Sequence, residues 1–189
     1  MKKTIEFMKT SIKGTVWRYY IFTFLRDFSL FSAVLVPFYT QWGGISLTQV
    51  QILQSWFMFW IFVLEIPTGA IADYLGRKYS LAFGAFIVTI GALVYGSSQS
   101  FGLFLLGEFL FATSVALTSG ADKALLYDAL KEVGKESESK KIFGRAHAIT
   151  LLGVGLAAPV GSFIASKFGL NAPMLFSSIP YFLAAIVAW

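Results

Sequence analysis

Apolar residues along this chain fall into six long blocks, separated by short connections rich in Gly, Ser, Pro or charge. The blocks lie near residues 17–40, 47–72, 79–98, 101–127, 143–166 and 172–189. Each holds about 18 or more residues, enough to cross roughly 30 Å of hydrocarbon at about 1.5 Å per residue. A transmembrane β-barrel would instead show alternating segments of about 10 residues. The pattern predicts an all-α membrane protein with six transmembrane helices. Ahead of the first block, Ile5, Met8, Ile12 and Val16 recur at helical spacing among lysines. Residues 1–16 are therefore read either as an amphipathic helix on the membrane surface or as a disordered basic tail.

Composition agrees independently. Of 189 residues, 57% are hydrophobic and only 13% charged, and the mean hydropathy is +0.71. Soluble domains carry about twice that share of charge. Charge also orients the chain. Lys2, Lys3, Lys9, Lys13 and Arg18 precede the first span, and Arg77 and Lys78 follow the second. Lys131, Lys135, Lys140, Lys141 and Arg145 lie between the fourth and fifth. The three opposite connections hold only Lys167. This bias predicts that both termini are cytoplasmic, in a multi-pass protein of the plasma (inner) membrane. It also accounts for the basic pI without a nucleic-acid partner. The first block is too long for a signal-peptide core and is read as a retained span. There is no cysteine, and the single histidine, His147, cannot make a metal site alone. No phosphate-binding Gly-Lys-Ser/Thr loop and no other enzyme motif is present, so neither enzymatic activity nor a bound cofactor is expected.

Span five places Gly153, Ala157, Gly161 and Ala165 at four-residue intervals, a small-residue stripe that lets helices approach closely in lipid. Pro159 within it is expected to kink the helix or free a carbonyl. Gly84, Gly91 and Gly96 give span three a similar packing character, and Pro173 falls in the first turn of span six, where proline is tolerated.

Charged side chains inside spans are costly and point to cavities, partners or function. Asp27 lies about 15 Å into span one, near the midplane. Arg26 beside it projects onto a different helical face, so the two are not expected to pair well. The surrounding Tyr19, Tyr20, Phe22, Phe24, Phe28, Phe31, Phe38 and Tyr39 either wall a pocket for an amphipathic molecule or simply pack. Glu65, Gly69 and Asp73 share one face of span two. Glu65 is either a proton-coupling carboxylate or part of a structural pair, for instance with Arg26. Glu108, Val115 and Asp122 fall at seven-residue steps in span four, a stripe suited to a cavity. A cavity or proton role for Glu108 competes with a buried structural pair.

The connection between spans two and three reads GAIADYLGRKYS, Gly69 to Ser80. A gap this short requires a sharp turn, with Asp73, Arg77 and Lys78 at the membrane surface. The segment resembles the signature loop of the major facilitator superfamily: Gly, three residues, Asp, two residues, Gly, Arg, then Arg or Lys. Spans four to six are similar to that family more loosely. GVGLAAPVGS, Gly153 to Ser162, only partly matches the Gly-Pro-rich pattern of its antiporters, with Ala158 where that pattern has Gly before Pro. The resemblance implies a 3+3 inverted-repeat bundle and secondary transport by alternating access. A small organic substrate would be driven by an ion gradient, with proton-coupled drug-type export ahead of nutrient uptake. It further implies that Gly69, Asp73, Gly76, Arg77 and Lys78 form a gating latch. Asp73 would face a helix dipole in a second bundle, and Arg77 would pair with Asp128, with Asp122 in reserve. Because the family has twelve spans, the resemblance requires a second six-helix bundle in the bilayer. That bundle is a continuation of the same chain, a second copy in a homodimer, or a separate chain. A non-transporting scaffold or receptor that kept the fold is the alternative.

Overall fold

The computed structural model describes the backbone of residues 2–189 and the side chains from Ile12 onward. Side chains of Lys2, Lys3, Ile5, Met8 and Lys9 lie outside the described residues. Helix α1 runs without interruption over Lys2–Asp27, so no joint separates an N-terminal surface helix from span one. Ile12 and Val16 pack in a cluster with Leu126, Leu130 and Ile142.

Span one continues beyond Asp27 through a 3-10 turn, Ser32–Val34, a helical turn α2, Leu35–Pro37, and a π-helical turn, Phe38–Trp42. Span two is α3, Leu47–Leu75, and span three is α4, Arg77–Ser97. Span four is split into α5, Phe101–Thr118, and α6, Ala121–Glu132. Span five is α7, Ser139–Phe168, and span six is α8, Ala172–Ala188. Five of these spans are long and apolar enough to cross a membrane. The sixth, α8, has 17 residues, about 25 Å, and so is roughly one turn short of a full crossing. The chain is a multi-pass membrane protein.

Local chemistry explains several boundaries. Ser46 and Gln49 form a reciprocal capping box that starts α3: the Gln49 amide donates to Ser46 Oγ at 3.3 Å, and the Ser46 amide donates to Gln49 Oε1 at 2.9 Å. Gly76 alone joins α3 to α4. Its amide closes α3 on the Ala72 carbonyl, and its carbonyl accepts the first α4 bond from the Ser80 amide. Its φ of +100° is a conformation that other residues rarely adopt. Neither Pro159 nor Pro67 ends its helix; α7 and α3 continue on both sides of them.

Close packing is set by small residues, as lipid provides no hydrophobic drive between helices. Helix α4 is the most buried span and lies between α5 and α8. Gly84 meets Thr118 and Ser114, Gly91 meets Phe111, and Gly96 meets Leu175. The α7 stripe does the same against span one. Gly153, Ala157 and Gly161 are buried, while Ala165 is only half-buried. Gly153 touches the backbone and ring of Phe24. At Gly161 a methyl group would sit 1.7 Å from the Leu30 carbonyl oxygen.

Gly161→Ala should therefore force α7 off span one and cost about 1–3 kcal/mol. Thermal unfolding in detergent should show a lower midpoint. Gly155→Ala, whose new carbon meets nothing within 4 Å, should leave the midpoint unchanged.

Candidate functional site

Span one loses helical geometry just after Asp27, and span four just before Asp122. Helix α1 ends at Asp27, and the chain turns through a Ser29 amide bond to the Asp27 carbonyl at 2.9 Å. The next free donor, the Leu30 amide, is taken by Ser177 Oγ of α8 at 3.1 Å. In span four, α5 ends at Thr118, and Gly120 with φ +75° reverses the backbone before α6 begins. Asp122 occupies the first turn of α6, where the partial positive charge of the helix end favours a carboxylate. Arg26 occupies the last turn of α1, where a cation is favoured. Broken helices at membrane depth persist where protein or a cavity satisfies their backbone.

These two breaks meet at one guanidinium. Arg26 Nε and Nη2 each donate to Asp27 at 3.1 Å, one to each carboxylate oxygen, and Nη1 donates to Asp122 Oδ2 at 3.0 Å. Thr150 of α7 donates to Asp27 Oδ2 at 2.8 Å, and the Lys123 amide donates to Asp122 Oδ1 at 2.6 Å. The expectation that Arg26 and Asp27 would not pair is corrected here. Asp27 is the last helical residue, and the long Arg26 side chain folds back onto it at the helix end. Arg26 pairs with Asp122 and not with Glu65. Asp122 is thereby removed from its reserve role at Arg77. With both carboxylates ionised, the trio carries a net charge of −1 in a place where the Asp122 side chain is only 10% exposed.

A cavity of about 410 Å³ opens onto this cluster. Arg26, Asp27, Asp122 and Lys123 supply its charged wall, while Phe111, Val115 and Tyr181 supply much of the rest. Tyr181 shares a 2.9 Å hydrogen bond with Ser29 beside the span-one break. None of the eight span-one aromatic rings lines this cavity; Phe22, Phe38 and Tyr39 are buried in the packed core.

Two other carboxylates sit apart from the cluster. Glu108 does not line the cavity. It is 5% exposed and lies at the far end of the bundle among Tyr39, Tyr95 and Gln54. The seven-residue stripe from Glu108 to Asp122 is cut at Ser119–Gly120, which turns Asp122 away from the Glu108 register. Glu65 is exposed on the outer face of α3, as are Gly69 and Asp73. Its carboxylate makes no hydrogen bond or ion pair among the described residues. Gly69 has nothing within 4 Å of where a side chain would start, so no helix described here approaches it closely. His147 is exposed, and the described residues contain no metal-binding cluster.

At the end of the bundle that carries the Gly76 turn, Arg77 Nη1 donates to Asp128 Oδ2 of α6. Lys78 Nζ lies 5.9 Å over the Tyr79 ring. Asp73 has no partner among the described residues and shares a cavity of about 530 Å³ with Arg77, Asp128 and Glu132.

Comparison with known sequences places this geometry in context. The sequence model of the Major Facilitator Superfamily matches residues 19–189, nearly the whole chain. The chain belongs to the major facilitator superfamily. It is 35% identical over 108 residues to an uncharacterized transporter of Buchnera aphidicola, covering 57% of this chain and 26% of that protein. It is 21% identical over 159 residues to an uncharacterized MFS-type transporter of Methanocaldococcus jannaschii, covering 84% of this chain and 40% of that protein. It is 24% identical over 125 residues to the multidrug resistance protein MdtL of Shewanella oneidensis, covering 66% and 31%. The chain spans less than half the length of these curated relatives.

Within this major facilitator bundle the two ion pairs differ in consequence. Arg26 is held between part-buried Asp27 and buried Asp122, so Arg26→Met leaves two carboxylates without their cation and should cost about 3–5 kcal/mol. Adding Asp122→Asn to Arg26→Met should recover part of that loss. Asp128→Ala removes an exposed partner of Arg77 and should cost less than about 1 kcal/mol. Denaturation of each purified variant in detergent measures the contrast.

Proposed function

We propose that the chain is one half of a secondary transporter that moves a small organic molecule across the membrane by alternating access, with proton-coupled drug-type export as its activity. The observation that carries this reading is the Arg26–Asp27–Asp122 cluster facing a cavity of about 410 Å³. Lys123 lines the same cavity, but among the described residues its side chain makes no ion pair with either carboxylate. Within the hydrogen-bonded trio one cation faces two carboxylates, so the trio is short of one positive charge. A proton supplies it, and so does a lipophilic cation. Two ligands that neutralise the same excess charge exclude one another, and exclusion of this kind couples inward movement of one to outward movement of the other. Similarity to a multidrug resistance protein supports a drug-type substrate. No bound cofactor enters the proposal; the proton gradient supplies the energy.

The second bundle is proposed from the faces left open. Phe62 and Ile66 of α3 are 77% and 85% exposed, and Phe163 of α7 is 62% exposed. Glu65, the open space at Gly69 and the unpartnered Asp73 lie on α3 beside them. We place the second bundle against this face, with Asp73 toward a helix N-terminus and Glu65 as a second proton-coupling carboxylate. The bias of Lys and Arg toward the connections on the side of the Gly76 turn supports a cytoplasmic position for that turn, in the plasma membrane.

The complete protein, reconstituted in lipid vesicles with an imposed pH gradient and a fluorescent lipophilic cation, tests the proposal. Wild type should accumulate the dye in the direction opposite to proton flow. Asp27→Asn and Asp122→Asn should each remove most gradient-driven movement, and Glu65→Gln should weaken it. Undiminished gradient-driven transport in both Asp27→Asn and Glu65→Gln would refute the assigned coupling. Absence of transport for any substrate tried, in a folded protein, would favour the scaffold reading.

A further inference from the structure

Glu108 is the only charged residue between Lys78 and Asp122 in the sequence, and among the described residues no cation pairs with it. The groups that face it are Tyr39 from the π-helical turn of span one, Gln54 from α3 and Tyr95 from α4. The two tyrosines are the only titratable ones. One oxygen, Glu108 Oε1, lies 3.0 Å from the Tyr39 hydroxyl, 2.8 Å from the Tyr95 hydroxyl and 3.2 Å from Gln54 Nε2. The two hydroxyl oxygens are themselves 2.7 Å apart. Three oxygens thus form a closed triangle, with an amide donating to one corner.

Proton counting decides the chemistry of this triangle. Four short contacts need four hydrogens, one on each. The two phenols and the amide supply three. With Glu108 ionised, two oxygens would face each other at hydrogen-bond distance with no hydrogen between them, inside a buried site where an unsatisfied polar contact is costly. A carboxylic acid proton on Oε1 fills the vacancy: Glu108 donates to Tyr39, Tyr39 to Tyr95, Tyr95 to Glu108, and Gln54 to Glu108. The fold builds this arrangement deliberately. Gly107 admits the Tyr95 ring, which would lie 2.2 Å from a side-chain carbon there. Phe104 stacks on the other side of that ring at 5.4 Å. The π-helical turn brings the adjacent Phe38 and Tyr39 inward together, 0% and 2% exposed.

We propose that Glu108 is a proton-binding site, and that its neutral acid clasps spans one to four at the end of the bundle remote from the Gly76 turn. Release of the proton to water leaves a carboxylate, removes one of the four hydrogens and loosens the clasp. This site shares no residue with the Arg26 cluster, and the proposal does not depend on the transport reading.

Difference infrared spectroscopy of the complete protein in lipid vesicles tests it. At neutral pH the wild type should show a protonated carboxylic C=O band that is lost in Glu108→Gln. In Tyr39→Phe that band should shift as the acid loses its acceptor. No carboxylic band assignable to Glu108 by comparison with Glu108→Gln, or a band indifferent to Tyr39→Phe, would overturn the site. Hydrogen–deuterium exchange tests the clasp separately. Once corrected for intrinsic rates, exchange over Phe38–Trp42 should rise severalfold at alkaline pH in wild type and stay flat with pH in Glu108→Gln, whose amide does not titrate. Exchange in wild type that does not respond to pH would overturn the clasp. Both readouts work without substrate, so a failure of transport and a failure of this site are distinguishable.

Discussion

One guanidinium in the middle of the membrane constrains most of the bundle. A charge at that depth is tolerated only with partners, and Arg26 draws them from its own helix end and from span four. Continuous helices would carry Asp27 and Asp122 past that point with their backbone bonds already made. The breaks after Asp27 and at Gly120 allow both carboxylates to turn toward the same cation. They also expose backbone groups that must be satisfied elsewhere. Span six meets that demand through Ser177, and span five lies close enough through Gly161 for Thr150 to reach Asp27. The small-residue stripe of α7 and the broken path of span one are thus two sides of one arrangement.

The bundle treats its buried polarity differently at its middle and at its far end. At the middle, charge is balanced by charge beside a cavity. At the far end, polarity is confined to phenols, an amide and one carboxyl, surrounded by aromatic rings and paired with no cation among the described residues. An ionised group is supported in the first environment by strong electrostatic bonds. In the second, only hydrogen bonds are on offer, and their number has to match the hydrogens available. The same residue type, an acid on span four, therefore behaves differently according to which side of the Ser119–Gly120 break it occupies.

Much of the architecture was legible in the sequence. Six apolar blocks, the one-residue turn at Gly76, the stripe in span five and the pairing of Arg77 with Asp128 all follow from period, glycine placement or family resemblance. The central cluster was only half legible. Arg26 and Asp27 announced themselves as charges in an apolar run, but their pairing was ruled out on ideal helical geometry, which ends at Asp27. The break in span four had a signal in Ser119–Gly120; the one in span one had none, because Asp-Phe-Ser carries neither glycine nor proline. Thr150 was invisible, since an uncharged hydroxyl in an apolar helix ordinarily bonds its own backbone. A cavity or proton role for Glu108 was set against a buried structural pair because an unbroken helix would put it in line with Asp122. Glu65 stood out as a buried charge in the sequence, yet α3 presents it on an outer face.

The joint at Gly76 has a mechanical consequence. Helices α3 and α4 are 29 and 21 residues long and are separated by a single residue, so there is no slack between them. A sliding motion of α3 along the membrane normal cannot be absorbed at that end; it has to appear as rotation about the glycine. Helix α3 is also tied to α5, where Trp56 donates to the Leu105 carbonyl and Thr68 to the Ala116 carbonyl, so a tilt about Gly76 requires those contacts to shift. A helix about 43 Å long converts a tilt of a few degrees at the hinge into a displacement of a few ångströms at Ser46, on the opposite surface of the membrane.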